Sequence, residues 1–228
     1  MSSDPDANPF NSLPAAVLIL AAIVGGIELV FQAGERGLAG GDAAVGWRLE
    51  ALNAWAFSPA IWDRMAEIGV WPPRQVVRIV TYAFVHLGFA HVLFVLVFLL
   101  ALGKMVGEIF GDLAVVAIFA VSGAVGAVAY GTFLDDPMAL VGGYPAVYGL
   151  IGAYTFILWV GLGAMGQQRA RAFTLIAFLL AIQLIFTLLF GGGNTWVADV
   201  AGFAAGFLLS FVLSPGGWRR VLERLRQR

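Results

Sequence analysis

The sequence specifies an all-α membrane protein: a bundle of six transmembrane helices with a membrane-embedded first loop. Composition carries the first part of that reading. Of the 228 residues, 61% are hydrophobic and 12% charged, and the mean hydropathy is +0.89. A soluble domain has roughly 25% charged residues, and half that supply cannot cover a water-facing surface of this size. The distribution of charge carries the rest. Long stretches without Lys, Arg, Asp or Glu recur along the chain, close to the ~20 residues that cross a hydrocarbon core. These features exclude a soluble enzyme and a disordered chain. A net charge of −1 provides no field to gather nucleic acid, so no nucleic-acid partner is expected. The absence of Cys removes disulfides, thiolate chemistry and Cys-based metal sites. No cofactor and no metal are expected.

The spans follow in order. Leu13–Phe31 is interrupted only by Glu28, and a mixed segment follows that makes 32–78 the first loop. The second apolar run lies between Arg78 and Lys104, the third is Leu113–Leu134, and the fourth falls within Pro137–Gln168. Ala172–Phe190 is the fifth and Trp196–Leu213, with Asp199 inside it, the sixth. Residues 1–12 are expected to form a short cytoplasmic N-terminus, 13–213 the membrane domain and 214–228 a basic cytoplasmic tail. Met1–Asn11 has no Lys or Arg, unlike the basic start of a signal peptide, so the first span is expected to be retained. Pro215-Gly216-Gly217 ends the last span, and the arginines beyond it suit anionic lipid.

An even number of spans puts both termini on one side. That side would hold Lys104, Arg169, Arg171 and the tail arginines, against Arg36, Arg48, Arg64, Arg74 and Arg78 on the other. The excess favours cytoplasmic termini, in a bacterial inner membrane. The first loop contains four of the seven tryptophans, Trp47, Trp55, Trp62 and Trp71. Indole rings concentrate at the headgroup level, so the loop is expected in the outer interface.

Ionisable groups inside spans are costly and mark function or structural pairing. Glu28, His86, His91 and Asp199 are the candidates. Glu28 is expected to reach headgroups or pair with an arginine. A helix through both histidines would set them about 140° apart, too far round to hold one metal. Asp199, Gly202 and Gly206 share one helix face at i, i+3 and i+7. Small residues let helix backbones approach closely in lipid. That face is therefore expected to pack on the glycine-bearing fourth span, with Gly142, Gly149, Gly202 and Gly206 as the packing glycines.

From about Arg74 to Phe207 the chain resembles the rhomboids, the intramembrane serine proteases. Arg78 to His91 is similar to the family's approach to its second helix. Leu102-Gly103, Glu108 and Gly111 resemble its L-G-x-x-x-E-x-x-x-G pattern, with one residue of slack at the Glu. Val141 to Ala153 resembles the fourth helix, which carries G-A-S-G-A-V-Y-G. Asp199 to Gly206 resembles the sixth, H-x-x-G-x-x-x-G. The resemblance implies structural roles for Arg78, His86 and Glu108.

It also implies that the catalytic positions are changed. Tyr144 stands at the nucleophilic Ser, with Pro145 after it, and Asp199 stands at the basic His. At the oxyanion positions His91 is kept and Val95 replaces Asn; Tyr148 is retained. A tyrosine hydroxyl on a rigid ring does not sit where a serine Oγ would, and aspartate does not take and return a proton near neutrality as imidazole does. Losing an oxyanion donor costs about 10²–10³ in rate. The expectation is therefore a pseudoprotease, in which Tyr144 or Tyr148 hydrogen-bonds Asp199 directly and plugs the old site. Its partners would be the lipid bilayer and transmembrane segments of client proteins, bound without cleavage. The alternatives are an active serine peptidase using Ser122, and a proton-coupled transporter using Asp199, His91 and Glu28.

Overall fold

In the computed structural model, which describes residues 13–190 and 193–216, the chain is almost entirely helical. Helix α1 is Ala15–Glu35. The first loop is itself helical, with α2 at Trp47–Trp55, α3 at Pro59–Ile68, α4 at Pro73–Val76 and α5 at Arg78–Thr81. The long helices α6 (Phe89–Phe110), α7 (Asp112–Phe133) and α8 (Tyr144–Ala164) follow. They are succeeded by α9 (Thr174–Phe190) and α10 (Trp196–Leu213). Among the described residues, α1, α6, α7, α8 and α10 are long and apolar enough to cross a membrane. Helix α9, with 17 residues, is at the lower end of the ~17–25 residues that a spanning helix uses. Residues 1–12 and the arginine-rich tail beyond Gly216 lie outside the described residues.

The second span differs from its expected position. It begins at Phe89 rather than just after Arg78, and it continues past Lys104 to Phe110. Val85 and Gly88 are extended, so the chain before Phe89 is not helical. Lys104 is accommodated near the helix end, where its Nζ lies 3.9 Å from Glu108 one turn on.

The inner layer is α7, α8 and α10, and glycine sets its spacing. A Cβ on Gly206 would strike the backbone of Gly149, and one on Gly152 would lie 2.7 Å from the Phe207 nitrogen. A Cβ on Gly126 would meet the Ala198 carbonyl oxygen at 2.8 Å. The predicted contact of the Asp199 face with the fourth span is therefore present, with backbone against backbone. Helix α1 packs on α6 through side chains seated over glycine, Val17 lying over Gly103 and Pro14, just before the helix, over Gly107. The backbone N–H of Ala16 donates to Asp112 at 3.2 Å, which brings the start of α1 to the start of α7. Helix α9 is more peripheral. Among its described side chains only Ile176 is buried.

The first loop is laid against the bundle. Ser58 and Pro59 start α3, and Gly69, at φ 65°, ends it in the left-handed conformation. The Trp62 indole donates to the Thr132 hydroxyl at 3.2 Å and meets Trp71 edge-on. Phe57 and Leu140 exchange two backbone hydrogen bonds, of 3.1 and 2.8 Å, and so tie the first loop to the segment before α8. Arg78 holds the end of α2 by donating to the carbonyls of Asn53 and Ala56.

Candidate functional site

Four segments converge at the N-terminal ends of α6, α8 and α10. Gly142 adopts φ +87°, which an L side chain rarely does, and its N–H donates to the Tyr82 carbonyl at 2.9 Å. The Gly143 N–H donates to His86 Nε2 at 3.2 Å. These bonds aim the first turn of α8, with Tyr144 at its first position and Pro145 at its second, where no N–H is needed for the helix ladder. Gly142 thus serves as a turn residue packed under two histidines, not as one of the helix-packing glycines. Gly149, Gly202 and Gly206 do pack helix on helix.

The histidines meet, contrary to the helical spacing expected of them. His86 lies before α6, so the extended Val85–Gly88 segment folds it back onto His91, with ring centroids 5.1 Å apart and nearly perpendicular. On its other side His91 stacks on Tyr144, with centroids at 4.8 Å and an interplanar angle of 19°. His91 Nε2 is buried with no hydrogen-bond partner among the described residues. Val95 is fully buried, and its Cγ1 would lie 2.9 Å from a Cβ at Gly143. It contributes packing and no donor.

Asp199 is 3% exposed, and its Oδ2 accepts a hydrogen bond of 2.7 Å from the side-chain amide of Gln183 on α9. The Tyr148 hydroxyl donates to Gln183 Oε1 at 3.3 Å. The direct tyrosine–aspartate bond expected from the sequence is therefore replaced by a relay through Gln183. An amide has a donor and an acceptor at one end, so it bridges a hydroxyl and a carboxylate that lack a mutual fit. Tyr144 is held against His91 instead.

Nor is the site plugged. A cavity of about 590 Å³ opens here. Its polar lining is Asn53, His91, Tyr144, Gln183, Thr195 and Asp199, and its apolar lining includes Leu52, Leu87, Met138, Val141 and Pro145. Small-molecule and side-chain pockets have volumes of about 300–1,000 Å³ and this kind of mixed wall. Gln183, Asn53 and Thr195 carry no charge and belong to none of the recognised motifs, so motif reading missed them. The cavity roof is anchored by Asp136, which accepts from the backbone N–H groups of Met138 (2.9 Å) and Asn194 (3.1 Å).

The other candidate residues lie elsewhere. Ser122 is fully buried, pressed against Gly149 where a Cβ would collide with its side chain. Glu108 is at the far end of α6, beside Lys104. Glu28 is 3% exposed, and of the two roles expected of it the structure shows the arginine pair. It pairs with Arg48 of α2 at 2.8 Å, and Arg48 also binds Glu35 and donates to the His86 carbonyl at 3.0 Å. Hydrogen bonding to Glu28, with Glu35 adding to it, holds the Arg48 guanidinium above its ordinary pKa. Glu28 therefore belongs to a latch between α1 and the first loop, separate from the cavity. Among the described residues, no group of three or more His, Asp or Glu side chains is placed to hold a metal ion.

Comparison with known proteins accords with this architecture. The family model for the Rhomboid domain matches residues 73–216. The chain is 30% identical over 142 residues to the rhomboid YdcA of Bacillus subtilis (strain 168), covering 59% of this chain and 66% of that one. It is 30% identical over 140 residues to RHOMBOID-like protein 7 of Arabidopsis thaliana, covering 61% and 44%, and 31% identical over 139 residues to RHOMBOID-like protein 1 of the same plant, covering 61% and 35%. The chain thus spans less than two thirds of the length of these relatives. The matched region contains the cavity residues from Leu87 to Asp199, the glycine-packed helices and most of the chain's length, and on that ground this multi-pass membrane protein belongs to the rhomboid family.

Proposed function

We propose that this rhomboid is a pseudoprotease that receives transmembrane segments of client proteins and does not cut them. The observation that carries this is the Tyr148–Gln183–Asp199 relay. Where the family resemblance calls for a base next to a nucleophile, Asp199 accepts from an amide, which neither takes nor gives a proton in acid–base catalysis. Tyr144 is occupied in a ring stack with His91, and Val95 supplies no oxyanion donor. The open cavity supports binding, because polar groups at membrane depth are retained where they meet a partner. Ser122 is a poor nucleophile for the active alternative, since it lies sealed between α7 and α8. The relay proposed for a transporter lacks Glu28, whose carboxylate is committed to Arg48.

The proposed setting is a bacterial inner membrane with both termini cytoplasmic. The start of α1, the end of α6 near Lys104 and the turn with Arg169 and Arg171 occur at one end of the bundle, opposite the cavity. Lys and Arg gather at cytoplasmic ends.

The test is made on the full chain in nanodiscs. A photoreactive side chain at Val141 should capture a membrane-spanning peptide, and a serine-directed fluorophosphonate should leave the protein unlabelled. Cleavage of any transmembrane peptide by the unmodified chain overturns the proposal. The Tyr144→Ser, Asp199→His, Val95→Asn variant should gain fluorophosphonate labelling if the scaffold still presents the old geometry.

A further inference from the structure

Among the described residues two acids are buried in the spans, and the chain treats them differently. Glu28 receives an arginine from its own protein, Arg48, in a bidentate pair with distances of 2.8 and 3.0 Å. Asp199 is as deeply buried, at 3% exposure, and among the described residues its side chain receives the neutral Gln183 amide, on Oδ2, and no cation. Among the described residues no Lys or Arg makes an ion pair with it, and no Lys or Arg lines its cavity. A carboxylate taken out of water and left without a cation is expensive, and inside a membrane such groups pair with one another. The missing cation has room: the cavity of about 590 Å³ leads to Asp199 between apolar walls.

Resting on the client-binding reading above, we infer that the cavity selects clients whose transmembrane segment carries a lysine, with the ammonium group seated on Asp199. The wall chemistry fits that side chain from end to end. Leu87, Met138 and Val141 offer apolar surface for a tetramethylene stem, and the charged head reaches the carboxylate at the stem's end. Lysine is preferred over arginine for a geometric reason. A guanidinium is strongest against two free carboxylate oxygens, and Gln183 already holds one of them, whereas an ammonium needs a single acceptor. The ring of Tyr144 in the same wall adds an aromatic surface for a cation. A client lysine is also costly in lipid, so it gains from leaving the hydrocarbon for this cavity.

The experiment compares four photoreactive spanning peptides, identical except for Lys, Arg, Leu or Glu at the centre, with the full chain in nanodiscs. Capture of the Lys peptide should exceed that of the Leu peptide by about tenfold, the scale of a charge-assisted hydrogen bond, with Arg intermediate and Glu lowest. Asp199→Asn should reduce Lys capture to the level of Leu. Equal capture of the Lys and Leu peptides by the unmodified chain overturns the lysine selection while client binding stands. No capture of any peptide overturns both. Octylammonium serves as a free-amine probe: if it raises the melting temperature in an Asp199-dependent manner while the Lys peptide is not captured, the cavity takes a soluble amine and client selection is overturned.

Discussion

Gln183 of α9 donates its side-chain amide to Asp199 of α10 across 2.7 Å, and this bond gives α9, otherwise shallowly packed, a polar tie to the inner helices. Removing the amide leaves the carboxylate without its donor. Gln183→Leu should therefore destabilise the protein by about 1–3 kcal/mol, the cost of a stranded buried polar group. Gln183→Glu should be worse, because it sets a second carboxylate beside the first. Thermal unfolding in detergent checks the order: unmodified chain, then Leu, then Glu. A Leu variant as stable as the unmodified chain would show that the bond contributes nothing.

The Arg48 latch gives a sharper ledger. Arg48 joins Glu28 and Glu35 of α1 to the His86 carbonyl, so it fastens the first loop to both α1 and the segment carrying the histidines. Arg48→Met should cost about 3–5 kcal/mol, because it strands a buried Glu28. Adding Glu28→Gln should recover a large part of that loss, since the neutral amide no longer needs a cation. Unfolding of the single and double variants measures the coupling directly. If Glu28→Gln gives no recovery, the pair is not the main tie.

Most of the bundle was legible in the sequence because lipid imposes long apolar runs, and the sixth span, read as Trp196–Leu213 from its apolar run with Pro215-Gly216-Gly217 ending it, has those bounds in the structure. The i, i+3, i+7 placement of Asp199, Gly202 and Gly206 foretold a close helix contact, and the glycines meet backbone where that spacing put them. Gln183 was not legible, since one amide in an apolar helix changes neither charge nor period and its partner is on another helix. The fold of His86 onto His91 was hidden for a different reason. No Lys, Arg, Asp or Glu interrupts the chain from Ile79 through Gly103, and the break from helix comes from the extended backbone at Val85 and Gly88. Tyr82, whose hydroxyl donates to the Gly123 carbonyl at 2.7 Å, was equally silent as one aromatic among many.

Glycine substitution separates packing from flexibility. At Gly152 a methyl would lie 2.7 Å from the Phe207 backbone nitrogen, and backbone does not move aside as a side-chain tip does. Gly152→Ala and Gly206→Ala should each destabilise by about 1–3 kcal/mol or more through forced separation of α8 and α10. Gly161 lies in the same helix with nothing within 4 Å of a new Cβ. Gly161→Ala should stabilise by up to about 1 kcal/mol, since alanine is the better helix former. Melting temperatures that move in opposite directions support close packing as the reason for the first two; a fall of similar size in all three would point to a general intolerance of α8.

Acid should loosen the cavity roof before it affects the core. The backbone N–H groups of Met138 and Asn194 hold the Asp136 carboxyl below its ordinary pKa. A lowered folded pKa means that the unfolded segment binds the proton more readily. The stabilisation is therefore complete above the ordinary value of ~3.9 and is lost as pH falls through the folded value. Backbone exchange of Met138 and Asn194, measured by hydrogen–deuterium exchange with correction for intrinsic rates, should stay flat from neutrality to about pH 5 and then rise relative to the Gly142 N–H, whose bond goes to the Tyr82 carbonyl. Asp136→Asn should raise exchange at Met138 and Asn194 already at neutral pH and remove the acid step, because an amide oxygen accepts more weakly than a carboxylate. An acid step that persists in Asp136→Asn would assign the loosening to another group.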